Sequence, residues 1–440
     1  MRSTVLLPRS GRATAAPPPA NRRPLARRIG RRRGLLAAAV VVNQLAYGAV
    51  YSWSILSAGL QSPAGSFALG RDEAGLPFAA AHAVVFVGTV LGGLLLTVPQ
   101  QADGSPGRRS RLSPRRIAVL AGLLYAGGYL LAGCAQGRQD FWLVLLGYGG
   151  IGGVGLGLGY IVPTTMLQRW FPRHRALAAG VATGGFGLGS VLSAPLSRLL
   201  VAHYAADPAR VLLVLGAVFL VTTLTGAAFF ADPPALATVP AQSGPQAGPV
   251  GLRPGQALRT GRWYLLTLIL FCNTAAGISM LSVVAPAAGS LTGLGPAWAA
   301  VLTGVLGVFN TVGRPLWGWL SGRTGLLNAF VLMLLAQGLG LLALSRAHSP
   351  WAFLALAALV CLCFGGGFAT MPAVVSEFFG LAHAGAVYGL MLIGWGMAGL
   401  AGPLAVAQVA ARSSYSTAFL ALGAVTVAAA VLPRLVRRRS

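Results

Sequence analysis

The chain has no lysine and only seven acidic residues, Asp72, Glu73, Asp103, Asp140, Asp207, Asp232 and Glu377. Charged residues make up 9% of its 440 positions, too few to keep a soluble domain of this length in water. So few carboxylates, spread along the chain, leave no acidic cluster for magnesium or a diphosphate substrate. Cysteine is scarce as well. Cys134, Cys272, Cys361 and Cys363 fall in or beside apolar runs, which excludes a disulfide framework and gives no metal-ligand spacing. The five histidines form no H-E-x-x-H pattern. Hydrolytic, phosphoryl-transfer and metal chemistry therefore lack their residues, and the expectation is a protein that is not an enzyme and holds no cofactor or metal.

Apolar sequence is what the chain has in quantity. Hydrophobic residues reach 55% and the mean hydropathy is +0.72. Uncharged or nearly uncharged runs recur about twelve times between residues 34 and 432, each near the ~20 residues that carry a helix across ~30 Å of hydrocarbon. The fold class read from this pattern is an all-α membrane protein with twelve transmembrane helices.

The net charge of +26 comes from 33 arginines, and their placement explains them. With both termini inside the cell, the tails and inward loops hold 26 arginines and the outward loops hold 5, Arg71, Arg138, Arg210, Arg346 and Arg412. That asymmetry follows the positive-inside rule. The basic clusters lack interleaved aromatics, so nucleic acid is not expected as a partner. The run "RRPLARRIGRRRGLLAAAVVV" is similar to an export signal. Cleavage there would remove part of the first span, so residues 1–33 read as a disordered Arg-rich cytoplasmic tail with affinity for anionic lipid.

Between 231 and 262 the sequence turns to "ADPPALATVPAQSGPQAGPVGLRPGQALRTGR", without hydrophobic periodicity, and reads as a cytoplasmic linker. It divides an N-terminal six-helix half, 34–230, from a C-terminal six-helix half, 263–432, which ends in a basic tail, 433–440. The halves are also alike in sequence. "GLGYIVPTTMLQRWFPRHRALAAG" answers "GGGFATMPAVVSEFFGLAHAGAVYG", so that Tyr160 pairs with Phe368, Phe171 with Phe379 and Pro195 with Pro403. A repeat of this kind puts a substrate site at the interface of the halves, near the middle of the membrane. The formal G-x-G-x-x-G at Gly150, Gly152 and Gly155 follows no strand and lies inside a span, so it reads as helix packing rather than a dinucleotide site. Gly155 with Gly159, Gly180 with Gly184, and Gly185 with Gly189 have the same small-xxx-small spacing.

Arg314 interrupts the otherwise uncharged "LTGVLGVFNTVGRPLWGWL", residues 302–320. A guanidinium that deep in a span costs ~2.5 to 3.5 kcal/mol on insertion scales, so it faces a watery cavity, snorkels to the surface, or has a partner. The acids all lie at helix ends or in loops, which speaks against a carboxylate pair. The anion of a substrate, held by two parallel hydrogen bonds, would complete it best.

The sequence resembles the major facilitator superfamily, and within it the oxalate/formate antiporter family, related to the monocarboxylate transporters. The resemblance runs from about residue 35 to 432. It is carried by "GYIVPTTMLQRWFPRHRALAAGVATGGFGLGSVLSAPL", "YGAVYSWSIL" and "GRPLWGWLS". It implies alternating access in a twelve-helix fold and assigns carboxylate binding to Arg314. The resemblance also implies an aromatic cage, for which Tyr47, Tyr51, Tyr160, Phe364, Phe368 and Trp395 are the candidates. Tyr47 and Tyr51 are four apart and belong on one helix face. Proton-moving relatives carry an aspartate one turn before the arginine, where this chain has Asn310. Oxalate-transporting relatives carry a lysine where this chain has Trp395. His82 and Arg198 are the candidates for a proton-carrying or second-charge group.

The resulting expectation is a monomeric secondary transporter of small organic anions, monocarboxylates above all. It would sit in the inner (plasma) membrane with both termini cytoplasmic, working by exchange or uniport. A proton-coupled exporter of drug-like or amphipathic compounds would need a carboxylate in the cavity, and a membrane sensor a signalling domain.

Overall fold

The computed structural model describes residues 22–97, 112–233 and 251–438. Residues 1–21 of the tail, most of the Arg-rich loop after the second span and the middle of the linker lie outside the described residues. Eleven described helices are long and apolar enough to cross a membrane: α1 Gly30–Gln61, α2 Glu73–Leu95, α3 Pro114–Gly133, α4 Arg138–Trp170, α5 Arg175–His203, α6 Ala209–Ala227, α7 Gly261–Thr292, α9 Leu326–Leu344, α10 Pro350–Phe378, α11 Ala384–Arg412 and α12 Tyr415–Arg437. The twelfth, α8 Pro296–Thr324, is 29 residues long and carries Arg314.

The ends follow local chemistry. Ser113 caps α3 by accepting from the Arg116 amide, with Pro114 in the first turn where a missing N–H costs nothing. Gly325, at φ 88°, lets α8 pass straight into α9. Three expected boundaries move. The first helix extends back to Arg22, so residues 22–33 are helical rather than an irregular tail. The basic end continues as helix through Arg438. The linker's last stretch is ordered, because Pro254–Ala257 forms a helical turn and the Leu252 amide donates to the Phe379 carbonyl at 2.9 Å.

The two halves meet along two seams, α5 against α8 and α2 against α11. A Cβ built on Gly180 would lie 2.5 Å from the Arg314 carbonyl oxygen, so only glycine permits that approach. Gly93 meets the backbone at Ala386 in the same way. The three glycine pairs divide their work: Gly180 and Gly184 face α8 across the seam, whereas Gly185 and Gly189 face α1 and Gly155 and Gly159 face α3 and α1. Gly152 and Gly155 of the formal dinucleotide pattern pack against Gly128 and Tyr125 of α3. The Gly93 contact lies near the end of α2 that faces the chain termini, and the Gly180 contact at the level of Arg314. On the side away from the termini Leu192 and Leu199 of α5, Val301 and Val308 of α8, and Met397 and Leu400 of α11 are exposed. The halves are closed at the terminal end and part toward the other.

Candidate functional site

A cavity open to solvent lies between the halves, about 400 Å³ when the solvent at its mouth is counted. Tyr51, His82, Val85, Leu156, Tyr160 and Phe186 line it from the first half, and Arg314, Phe368, Leu392 and Trp395 from the second. Nearly all of this wall is aromatic or aliphatic. Its permanent charge is Arg314.

Arg314 is 2% exposed, which removes the snorkelling alternative. Nη1 donates across the seam to the Thr183 carbonyl at 2.7 Å, and Nη2 donates to Asn310 Oδ1 at 3.3 Å. Its Cζ sits 5.0 Å from the centroid of the Phe368 ring, within cation–π range. Nε is buried and has no hydrogen-bond partner. The ion pairs among the described residues are Arg138–Glu73, Arg169–Asp232 and Arg210–Asp207, none of them near this group. The Tyr51 hydroxyl also interacts with the guanidinium, so neutral oxygens surround a full positive charge. Removing a charge from water without a counter-charge costs several kcal/mol, and an anion in the cavity would offset that cost.

Other side chains fix the walls. Phe186 stands edge-on to both Tyr51, at 5.5 Å, and Tyr160, at 5.3 Å. The Tyr160 and Tyr388 hydroxyls are 3.3 Å apart and join α4 to α11 across the halves. The His82 ring stacks on Phe78 at 4.0 Å and on Trp395 at 5.3 Å, and its Nδ1 is 2.9 Å from the Phe78 carbonyl.

The structure brings together six of the residues singled out from the sequence: Arg314, Tyr51, Tyr160, Phe368, Trp395 and His82. Asn310 stands behind Arg314 and orients it, while its own Nδ2 donates to the Cys361 carbonyl at 3.4 Å. Phe364 backs Phe368 edge-on at 5.4 Å without reaching the cavity. Arg198 is exposed on the far half of α5 and does not line the cavity. Tyr47 is a correction. It is fully buried in the first half, edge-on to Tyr125 at 5.0 Å, in a cluster with Tyr129 and Tyr148. Residues Ala49–Ser52 form a turn of 3-10 helix. At about three residues per turn that segment rotates Tyr51 away from the face Tyr47 occupies, so the four-residue spacing misled. Phe186, Tyr388 and the Thr183 carbonyl were not anticipated: the first two are aromatics among apolar neighbours, and a backbone oxygen leaves no mark in a sequence.

Two six-helix halves that close at one end, around a cavity with a single buried cation, are the architecture of a secondary transporter. The sequence profile of the Major Facilitator Superfamily matches residues 46–344 and 274–440. The chain belongs to that superfamily. It is 26% identical over 423 residues to the oxalate:formate antiporter of Oxalobacter formigenes, covering 93% of each. It is 33% identical over 340 residues to monocarboxylate transporter 13 of Bos taurus, covering 74% of this chain and 75% of the relative. It is 26% identical over 374 residues to the uncharacterized MFS-type transporter YhjX of Escherichia coli K12, covering 83% of this chain and 86% of the relative. Among solved structures, the transporter FucP in its outward conformation superposes with a TM-score of 0.67 at 17% identity, over 91% of this chain and 98% of that one. The human organic anion transporter MFSD10 gives 0.62 at 16% identity, over 92% and 99%. The protein is a multi-pass membrane transporter and not an enzyme.

Proposed function

We propose that the protein moves small monocarboxylates across the inner (plasma) membrane by alternating access, as an exchanger or uniporter, with Arg314 as the anchor for the carboxylate. The observation that carries this reading is the guanidinium of Arg314, buried, held by neutral oxygens alone and facing an aromatic cavity between the halves. A carboxylate is the planar, bidentate partner such a group lacks. Tyr51 and Tyr160 add hydroxyl donors, and the remaining wall suits a short apolar tail. The relatives named for oxalate, formate and monocarboxylates support the same class. The arginine distribution supports both termini on the inner side, and on that placement the closed terminal end corresponds to an outward-facing state.

Among the described residues, none that lines the cavity is a carboxylate, which a proton-coupled exporter of cationic compounds would use. Asn310 cannot titrate, so monocarboxylate movement should carry no proton. Proton uptake into sealed vesicles strictly driven by monocarboxylate influx, and lost in His82→Gln, would count against that.

The decisive experiment is uptake and binding in proteoliposomes with Arg314→Gln. Loss of a charge-assisted contact worth ~1.5 to 3 kcal/mol should weaken monocarboxylate binding at least about tenfold. A folded variant with wild-type affinity and rate would refute the anchor.

A further inference from the structure

The cavity is asymmetric in a way its single anion anchor does not use. Arg314 lies on the second half, and facing the same space from the first half is His82. The His82 ring is fixed on two sides. Phe78 lies beneath it, and the indole of Trp395 packs against it from the opposite half. Its Nδ1 is committed to the Phe78 carbonyl, so that nitrogen carries the hydrogen in either charge state, and Nε2 is the nitrogen left to gain or lose a proton. A line of aromatic contacts joins the two groups, from Arg314 over Phe368, to Trp395 at 6.2 Å, to His82.

We infer that His82 is a proton-gated second cation that admits dicarboxylates to the cavity when it is charged. The inference rests on Arg314 as the first anchor. With His82 neutral, a dicarboxylate leaves one carboxylate buried against aromatic walls without a counter-charge, which opposes binding. With His82 charged, the second carboxylate has an N–H donor and an opposite charge, and the indole face of Trp395 accommodates the cation. The charged and titratable groups facing this space are Arg314, Tyr51 and Tyr160, with Tyr388 behind Tyr160. The elements packed on α2 contribute no carboxylate to the lining among the described residues, so an incoming anion is the counter-charge available to the charged ring. Glu73, at the start of the same helix, is held by Arg138 at 2.7 Å. A bound dianion brings its second negative charge to the ring, so dicarboxylate binding takes up one proton. Monocarboxylate binding does not. A dianion plus one proton then presents the same net charge to the carrier as a monoanion.

The test measures oxalate and formate affinities of the full-length protein in proteoliposomes across about pH 5.5 to 8, the range in which a histidine changes charge. Oxalate stays doubly charged throughout, and formate corrects for general effects of pH. In the wild type the oxalate-to-formate affinity ratio should fall up to about tenfold per pH unit, the slope of one bound proton. In His82→Gln the ratio should be low and independent of pH. In His82→Lys, with a lasting charge, it should be high and nearly flat, and either variant suffices if the other does not fold. A wild-type ratio that ignores pH, or a slope that survives in His82→Gln, overturns the inference. Failure of Arg314 as anchor shows separately, as formate affinity that is unchanged in Arg314→Gln.

Discussion

Gln168 of α4 and Ser376 of α10 lie 208 positions apart, the interval that relates Tyr160 to Phe368, and they meet across the halves at 3.2 Å. Residues at equivalent places in a repeat can touch only on the axis that relates the two copies. This hydrogen bond therefore sits at the centre of the closed end, beyond the Tyr160–Tyr388 pair. Between them a smaller polar space is lined by Thr165, Gln168, Ser376 and Tyr388.

That position makes the pair a gate whose loss should shift the resting state. Removing one neutral hydrogen bond is worth about 0.5 to 1.5 kcal/mol, so Gln168→Ala should raise the ratio of terminal-open to terminal-closed carrier by about two- to tenfold. Distance measurements between spin labels on the terminal ends of α4 and α10 would read the change. An unaltered distribution would mean that the bond contributes nothing to closure.

The seam at α5 and α8 should be less forgiving. Gly180→Val places methyl groups where the Arg314 carbonyl stands, and the neighbour is backbone, which cannot swing aside. Transport should fall to background, with the spin-label distribution displaced from the terminal-closed state. Wild-type transport by Gly180→Val would show that the halves do not approach this closely in the working cycle.

Asn310→Asp should convert the anchor into a pH-dependent one. An ionised aspartate would stand where the amide oxygen now lies 3.3 Å from Nη2 and would compete with substrate for Arg314. Monocarboxylate affinity should drop about tenfold at neutral pH and recover as the carboxyl takes a proton on acidification. Substrate influx in this variant should carry a proton into vesicles where the wild type carries none. Affinity that stays low at acid pH would point to a steric cause instead.

Trp395→Lys should redirect specificity. It supplies a lasting second cation at the indole position, next to His82 and Phe368, and so should raise oxalate affinity relative to formate, lactate and pyruvate at neutral pH. Oxalate binding the neutral wild type more tightly than any monocarboxylate would sink the monoanion reading.

Much of this is legible in the sequence, for identifiable reasons. Spans announce themselves by length and apolarity, and Arg314 by the cost of a charge in such a run. Tyr160 and Phe368 were found through the repeat. Tyr47 was misplaced because a short 3-10 segment is a small departure in helical pitch that no residue type betrays. Phe186 and Tyr388 look like ordinary span aromatics, and only the three-dimensional packing sets Phe186 in the cavity wall and Tyr388 behind Tyr160. Residues 22–33 were read as irregular because arginine density masks helix-forming tendency, although arginine itself is a good helix former.

Arg314 Nη1 reaches out of its own half to the Thr183 carbonyl, so the proposed anion anchor also bridges the two halves. For the terminal end to part, that bond has to break, and a carrier without substrate would then leave a second guanidinium nitrogen unsatisfied beside the Nε that already is. A carboxylate seated on the same N–H groups would take over the role of Thr183 and free the seam. On the proposed anchoring, the loaded carrier should then turn over more easily than the unloaded one, which would favour exchange over uniport.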